Sequence, residues 1–318
     1  MINYFLKLII ISFFLFFLFL KYNIAENNQI LLNEVLPGIL IYYGENEEPN
    51  EINKGAIANK IAIIGNKSIL VYDAGPSKEF AERFIKELRK YSKKPIKYLV
   101  ISHRHFDHAY GIEVYLKKKV TIFIDKTEYS YLKKEGPLIN NLLIKNLGFN
   151  EDNINFDNIS EEKINFLADS IEVNLGNRRV LIKNLGIAHT KGDLIAYDFN
   201  TNTYITGDVI FIGRAAAFSD ANIPMWINVI NNKLDLSWDY LIPGHGSIIN
   251  NKLELNDTKN WLYFLDNAAK KAVSEGDMIS EIFQYPIPKE IHHLKMKSIT
   301  LRQGIKKQLD LYRKKYIE

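Results

Sequence analysis

Short apolar runs and one helical repeat organise the first third of the chain. Two runs rich in β-branched residues, 61–64 and 68–73, flank the turn sequence 65–67, a pattern typical of a β-hairpin. After Ser77, apolar residues recur at helical spacing from 80 to 91. Because serine commonly caps the first turn of a helix, we expect a helix to begin directly after Ser77.

The next segments alternate between strand and helix. Residues 96–101 have the pattern of a buried strand, 111–119 that of a helix, and 120–124 that of another strand. This β-α-β order is typical of helices packed on a sheet. Residues 135–162 are rich in asparagine and lack a clear repeat, so we predict an irregular, lid-like insertion there.

Strands dominate the following part of the chain. The predicted strands are 171–175, 180–185, 194–199, 203–205 and 238–242, with a helix at 224–236. From 253 onward the pattern is helical. We therefore predict a leader at 1–25, a mixed α/β domain at 26–252 and a C-terminal helical extension at 253–318.

The first residues have the composition of an export signal. Lys7 precedes an apolar run at 8–20, which fits the hydrophobic region of a signal peptide and is short for a membrane span. We expect cleavage near Ala25 and a periplasmic or secreted protein. The alternative is an uncleaved anchor through residues 8–20, and this segment provides the only membrane contact that we predict.

Composition narrows the chemistry further. The chain of 318 residues has no cysteine, so neither a disulfide nor a thiolate metal ligand is possible. Two of its lysines precede Glu26, and the rest of the chain carries a net charge of +2. Proteins that bind nucleic acid usually carry a strongly basic face, so we predict no nucleic-acid partner.

The most informative segment is 102–108, with the sequence Ser-His-Arg-His-Phe-Asp-His. Four of its side chains, His103, His105, Asp107 and His108, offer nitrogen or oxygen donors that suit zinc. The whole chain has seven histidines, and three of them lie in this segment. Such clustering predicts a metal site rather than isolated core histidines.

Three further donor candidates lie in glycine-containing segments that follow predicted strands. These candidates are His189, Asp208 and His245. Loops at one edge of a sheet can bring residues that are distant in sequence together at one site. We therefore expect all three to join the cluster in 102–108.

The ordered donors and their neighbours resemble the metallo-β-lactamase-fold superfamily. The matching segments are Asp-x-Gly at 73–75, the motif at 103–108, His-Thr-x-Gly-Asp at 189–193, Thr-Gly-Asp at 206–208 and Pro-Gly-His-Gly at 243–246. Segments 43–44, 53–59 and 207–214 also resemble the exported quinoprotein relay system zinc metallohydrolases. The resemblance implies an α/β (α+β) fold, a four-layer αββα sandwich that holds metal at one edge between two sheets.

The resemblance also implies that the donors divide between two metal ions. One ion would be bound by His103, His105 and His189, the other by Asp107, His108 and His245, and Asp208 would bridge the two. The implied cofactor is two Zn²⁺ ions per chain, with Fe²⁺ as the alternative.

Two divalent ions that share a water lower its pKa toward neutrality. We therefore predict a hydrolase that directs a metal-bridging hydroxide at a small ester-, phosphoester- or lactam-like substrate. Asp107 is the predicted catalytic residue, because a carboxylate there could both bind metal and accept the proton of the nucleophile.

Two other classes of function stay open. A sulfur dioxygenase would hold one iron through His103, His189 and Asp208 and would leave the other donors unused. A non-catalytic partner in a periplasmic quinoprotein system would use the metal as a scaffold. The complete donor set favours the hydrolase over both.

Four more residues are candidates for supporting roles. Asp73 and Asp193 could accept hydrogen bonds from the second nitrogens of metal-binding histidines. Arg214 could bind an anionic group of a small-molecule substrate, and Asn59 could donate a hydrogen bond to it.

Overall fold

The computed structural model describes residues 30–234 and 237–317. In this part of the chain one sheet contains seven strands, which lie side by side in sequence order. They are β1 (Asn33–Leu36), β2 (Ile39–Tyr42), β3 (Lys60–Ile64), β4 (Ile69–Tyr72), β5 (Ile96–Val100), β6 (Thr121–Ile124) and β7 (Ile164–Phe166). Strands β1 to β4 are antiparallel, and β4 to β7 are parallel. The hairpin predicted around 65–67 is confirmed, since Ile64 of β3 pairs with Ile69 of β4.

The second sheet follows in sequence and contains the remaining strands of the described residues. They are β8 (Ser170–Asn174), β9 (Arg179–Asn184), β10 (Leu194–Asp198), β11 (Thr203–Ile205) and β12 (Tyr240–Ile242). Neighbouring strands from β8 to β11 are antiparallel, whereas β11 and β12 are parallel. Because β11 and β12 run in the same direction, the segments that follow them leave the sheet at the same edge.

Helices occupy the connections and the C-terminal part of the chain. They are α1 (Lys78–Tyr91), α2 (Phe106–Ala109), α3 (Ile112–Leu116), α4 (Lys126–Leu147), α5 (Ile223–Asn232), α6 (Asn256–Glu275), α7 (Ile279–Ile282) and α8 (Lys297–Ile317). Short 3-10 turns lie at Phe156–Asn158, Glu161–Lys163, Gly207–Val209, Lys252–Leu255 and Lys289–Ile291. The predicted cap of α1 is confirmed, because the Ser77 hydroxyl accepts a hydrogen bond from the Phe80 N–H at 3.0 Å.

Alternation along the strands places one face of each sheet against the other sheet. Ile61 and Ile63 of β3 share a buried cluster with Ile182 of β9 and Ala196 of β10. On the outer face of the second sheet, Ile195 of β10 packs in a cluster with residues of α5, α6 and α8. Helix α1 buries its own apolar side chains, and the Phe80 ring meets the Tyr42 ring of β2 edge-on at 5.1 Å. The predicted four-layer order of helices, two sheets and helices is confirmed.

The prediction of an irregular segment at 135–162 was wrong for its first part, because α4 continues to Leu147. The asparagine-rich composition was the misleading signal, and α4 also accommodates Gly136 and Pro137, although proline usually ends a helix. A Cβ at residue 136 would lie 2.2 Å from the Phe156 ring, so glycine allows α4 to pack closely on the turn at Phe156. Tertiary packing therefore outweighs local propensity at this position. The rest of the segment contains only the two short 3-10 turns.

Several element ends also differ from the prediction. Strands β1, β2 and β7 were not predicted, and the helix predicted at 111–119 covers only Ile112–Leu116. Helix α5 ends at Asn232, whereas its predicted last residues, 235 and 236, lie outside the described part. The C-terminal segment is helical as predicted, with a non-helical stretch at 283–288.

The predicted leader at 1–25, including the apolar run at 8–20, lies outside the described residues. Within residues 30–234 and 237–317, no helix combines the length and apolar character needed to cross a membrane.

Candidate metal centre

The donor candidates gather where several strands end. The motif at 103–108 follows β5, His189 lies in the loop between β9 and β10, Asp208 follows β11 and His245 follows β12. Glycine at 244 allows the last two loops to meet, because a Cβ there would lie 2.0 Å from Asp208 Oδ1. The parallel pairing of β11 and β12 thus places Asp208 beside His245.

One group of donors consists of three imidazoles and a carboxylate. His105 Nδ1 lies 3.0 Å from His103 Nε2 and 3.2 Å from His189 Nε2. Asp208 Oδ2 lies 3.4 Å from His189 Nε2 and 3.8 Å from His103 Nε2. All four donor atoms lie within 4.8 Å of one another, so this group could hold one metal ion.

The second group consists of Asp107, His108 and His245. Asp107 Oδ2 lies 3.5 Å from His108 Nε2 and 3.4 Å from His245 Nε2. The other oxygen of Asp208, Oδ1, lies 3.1 Å and 3.4 Å from the same two nitrogens. Asp208 therefore directs one oxygen at each group, as the predicted bridging role requires.

The donor spacing fits tetrahedral zinc. With Zn–N bonds of about 2.05 Å, neighbouring ligands of a tetrahedral site lie about 3.3 Å apart, close to the separations in both groups. His108 Nε2 and Asp208 Oδ1 are buried and have no hydrogen-bond partner. Buried polar atoms are rarely left without a partner, and a cation bound to both of these atoms would satisfy them.

Carboxylates and carbonyls orient several of the imidazoles. Asp73 Oδ2 lies 2.7 Å from His108 Nδ1, and Asp73 Oδ1 accepts a hydrogen bond from the Ser102 N–H at 2.8 Å. His245 Nδ1 lies 2.8 Å from the Ile57 carbonyl oxygen, and its ring stacks on Phe211 with centroids 5.0 Å apart. These contacts leave Nε2 of His108 and of His245 as the donor atoms.

The backbone at Asp73 supports the same arrangement. Its φ of 65° lies in the left-handed region, which is uncommon for a residue other than glycine. This conformation directs the carboxylate at His108 immediately after β4 ends. Such strain is retained where the surrounding contacts fix the residue, as the Ser102 and His108 hydrogen bonds do here.

Asp193 and Asn59 have different contacts from those predicted. Asp193 accepts hydrogen bonds from the Thr190 N–H at 2.9 Å and the Thr190 hydroxyl at 2.8 Å, and no hydrogen bond joins it to an imidazole among the described residues. Asn59 donates to the carbonyl oxygens of Pro243 and Gly246 at 2.9 and 2.8 Å. Both residues therefore hold a loop that carries a histidine. The amide of Asn59 is engaged with the backbone, so this geometry gives no support to the predicted contact with substrate.

Electrostatics show that the centre favours positive charge. Burial opposes protonation of His108, but the carboxylates of Asp208, Asp107 and Asp73 outweigh burial and raise the pKa of His108 to about 10. Burial would raise the pKa of Asp208, yet His108 and His245 hold that pKa well below its usual range. By contrast, burial lowers the pKa of His189 to about 3. His189 is therefore a neutral imidazole and Asp208 an ionised carboxylate, the forms that bind metal, whereas His108 holds a proton that a bound cation would displace.

Sequence reasoning missed a second layer of charged residues around His105. Asp220 Oδ2 lies 3.0 Å from His105 Nε2 and 2.9 Å from Arg104 Nη2. Arg104 also pairs with Glu128, at 3.0 Å. Arg104 stands inside the 102–108 motif and could have been considered, whereas no local signal marks Asp220.

A cavity of about 330 Å³ opens beside the centre. Asp107, Asp208, His245 and the predicted substrate residue Arg214 all contribute to its wall. The remaining wall is contributed by side chains of several elements, including Phe106, Tyr110, Tyr131, Leu132, Ile139, Thr300 and Gln303. The metal donors therefore face a space that can admit a small molecule.

The sequence profile of the metallo-beta-lactamase superfamily matches residues 56–263, more than half of the chain. This chain belongs to that superfamily. Hydrolase-type enzymes stand among its relatives and structural neighbours. The matched region contains every donor of both groups.

Comparison with individual proteins of the superfamily supports the fold. The chain is 27% identical over 89 residues to the linear primary-alkylsulfatase of Pseudomonas sp. (strain ATCC 19151), a stretch that covers 26% of this chain and 17% of that enzyme. The structure of TMB-1 has a TM-score of 0.55 at 18% identity and covers 75% of this chain and 99% of TMB-1. The metallo-beta-lactamase from Pontibacter korlensis has a TM-score of 0.57 at 15% identity, with 74% and 99% covered.

Proposed function

We propose that this chain is an exported hydrolase that holds two zinc ions and cleaves a small ester-, phosphoester- or lactam-like substrate. The observation that carries the proposal is the position of Asp208, whose two carboxylate oxygens each lie within 3.4 Å of imidazole nitrogens in a different donor group. A protein that needed one ion would have no use for the second group. Export rests on the sequence of residues 1–25, and a periplasmic quinoprotein system is the proposed setting.

Divalent ions held by these residues would lower the pKa of bound water and stabilise negative charge on the group under attack. The side chains perform the remaining steps. Asp107 Oδ2 lies toward His108 and His245, so Oδ1 can take a proton from the attacking water. Asp73 and the Ile57 carbonyl keep His108 and His245 in the tautomer that directs Nε2 at the centre.

Arg214 is the candidate for recognising an anionic group of the substrate. Its side chain is nearly buried and lines the cavity, and its Nε has no hydrogen-bond partner. In the described structure its Nη1 donates to the Glu47 carbonyl oxygen at 3.5 Å and lies 3.5 Å from His245 Nδ1, which donates its own proton to the Ile57 carbonyl oxygen. A buried guanidinium without a close carboxylate is stabilised when a carboxylate, phosphate or sulfate binds to it.

The alternatives receive less support from the geometry. An iron dioxygenase would leave Asp107, His108 and His245 unused, although they form a complete donor group. A non-catalytic scaffold would not need a cavity that reaches the donors. The alkylsulfatase relative adds sulfate esters to the substrates that should be tested.

Metal content tests the proposal directly. We expect elemental mass spectrometry of the purified protein to find two zinc ions per chain, and about one in His108→Ala and in His245→Ala. His293→Ala is the matched control, because His293 is exposed and pairs with Asp257 away from the donors. One iron per chain, unchanged in the two donor variants, would overturn the proposal in favour of the dioxygenase.

Kinetics with paired substrates test Arg214. For an anionic ester, we expect Arg214→Lys to raise KM about tenfold or more. Arginine can donate two parallel hydrogen bonds to an anionic group, and lysine loses one of them; each is worth about 1.5–3 kcal/mol. A neutral ester of the same size should be hydrolysed as before. Arg302→Lys, a change at an exposed arginine of α8, serves as the control. An equal change for both esters would show that Arg214 does not read substrate charge.

A further inference from the structure

We propose that α8 is a working part of the active site: Lys307 positions Asp220 against His105, and Gln303 contacts the substrate. This inference rests on the proposed function and deepens it, since it assigns roles to residues beyond position 263, where the superfamily match ends. The contacts that carry it join α8 both to the metal donors and to the cavity.

The first contact is a chain of charged groups from α8 to His105. Lys307 Nζ lies 2.6 Å from Asp220 Oδ1, and Asp220 Oδ2 lies 3.0 Å from His105 Nε2. A carboxylate at Nε2 requires the proton to sit there, which leaves the lone pair of Nδ1 directed at His103 and His189. Lys307 thus fixes the orientation of the Asp220 carboxylate, and Asp220 in turn fixes the orientation of the His105 imidazole.

Backbone contacts hold the segment that carries Asp220 to the same helix. The Gln308 amide donates hydrogen bonds to the carbonyl oxygens of Phe218 at 3.2 Å and Ala221 at 2.8 Å, on either side of Asp220. Gly304 allows the close approach, since a Cβ there would lie 2.6 Å from the Phe218 ring. Residues 218–221 therefore depend on α8 for their position.

The second contact is with the cavity itself. Thr300 and Gln303, one helical turn apart, contribute to its wall, as does Glu48. The Gln303 amide and the Glu48 carboxylate are 3.5 Å apart. Upstream of α8, the Lys295 N–H donates to the Gly213 carbonyl oxygen and the Ala215 N–H donates to the Lys295 carbonyl oxygen, which holds the backbone on both sides of Arg214. The helix thus borders the space where substrate binds.

Neighbouring lysines of α8 provide a matched pair of variants. Lys307 pairs with Asp220, whereas Lys306 is more exposed and pairs with Asp310 on α8 itself. The experiment compares Lys307→Met with Lys306→Met in the full chain. Zinc affinity is measured by competition with a chromophoric chelator, and the ring ¹⁵N shifts of His105 are measured by NMR in the metal-free protein.

We expect Lys307→Met to weaken the binding of one of the two zinc ions about three- to tenfold. This is less than the usual effect of an outer partner, because Lys307 contacts Asp220 rather than the imidazole and the ion pair is half exposed. The ring shifts of His105 should change in Lys307→Met and match the parent in Lys306→Met. A Lys307→Met protein that matches Lys306→Met in both measurements overturns the positioning role, while two zinc ions in the parent would leave the proposed function intact. A parent that binds no zinc, with His105 shifts that still respond to Lys307→Met, would overturn the proposed function and retain the coupling to α8.

Gln303 is tested separately through substrate. Gln303→Ala should raise KM for a cleaved aryl ester about threefold to tenfold, the loss of about one hydrogen bond, with kcat and zinc content unchanged. Gln284→Ala, a change at a residue outside the cavity wall, is the control. An unchanged KM for ester, phosphodiester and sulfate ester substrates would show that α8 borders the cavity without contacting substrate.

Discussion

The two donor groups of the centre are supported by different parts of the protein. His108, in the group with Asp107 and His245, rests on Asp73, which is 1% exposed and follows a core strand. His105, in the other group, rests on Asp220, whose side chain is 24% exposed and is shared with Arg104 and Lys307. His108 is thus anchored in the sandwich and His105 in a charged network near the surface, while His103 shares the Ser102 hydroxyl with Asp73. Surface changes near Asp220 should therefore reach the half of the centre that contains His105.

The largest loss of zinc and activity is expected from a change at Asp208, which contacts both donor groups. Asp208→Asn removes the charge that both groups share, so we expect zinc content to fall to one ion or fewer per chain. The value of kcat/KM should fall about a thousandfold or more, because metal ions supply several kcal/mol of transition-state stabilisation. Elemental analysis and steady-state kinetics measure the two effects. Asp239→Asn, at an exposed carboxylate, is the control, and a fully loaded Asp208→Asn protein would contradict the bridging role.

Two variants, each of which replaces a supporting carboxylate with a carboxamide, test whether the two donor groups depend on different residues. Asp73→Asn and Asp220→Asn should each weaken one zinc equivalent about 10- to 100-fold, the usual effect of removing an outer partner of a metal-binding histidine. Asparagine tolerates the left-handed backbone at position 73, so the change removes charge without adding strain. Asp73→Asn should also lower the Tm of the metal-free protein, because it breaks a fully buried pair with His108.

The double variant shows whether the halves are independent. Chelator competition should give an additive loss in Asp73→Asn/Asp220→Asn, one equivalent from each half. If the zinc affinity of the double variant equals that of the single variant with the lower affinity, the two donor groups act as one unit. The difference between their supporting residues then has no effect on metal binding.

The smallest effect concerns the loop of His189, which Asp193 holds. Burial and the nearby Glu128 raise the pKa of Asp193 to about 7, above the value of an unfolded aspartate. The folded state therefore binds this proton more tightly, so the contribution of Asp193 to stability is present below its unfolded pKa and is lost as pH rises through about 7. Thermal unfolding between pH 4 and 8 should show a smaller loss of Tm with rising pH in Asp193→Asn than in the parent. Parallel curves would contradict this assignment.

The donors could be predicted from sequence because their signal is local. Three histidines and an aspartate crowd into 103–108, as metal binding requires and core packing does not, and His189, Asp208 and His245 follow strands that the apolar pattern also predicts. The structure brings all seven into two groups. Short apolar runs likewise predicted β3 to β6 and β8 to β12.

The remaining features depend on tertiary contacts. Gly136 and Pro137 argue against a helix until the Phe156 ring is seen to occupy the space of a side chain. Asp220 is an isolated carboxylate in an alanine-rich segment, and only folding brings it to His105. In the same way, nothing in the helical pattern after 253 indicates that Gln303 reaches the cavity.

The chemistry of the donor atoms also has a consequence for chemical durability. All seven donors are imidazoles or carboxylates, and the chain has no cysteine at all. Peroxides and disulfide reagents act first on thiolates, which pass through sulfenic acid to irreversible products. Activity should therefore survive doses of hydrogen peroxide or thiol-alkylating reagent that inactivate thiolate-dependent metal enzymes.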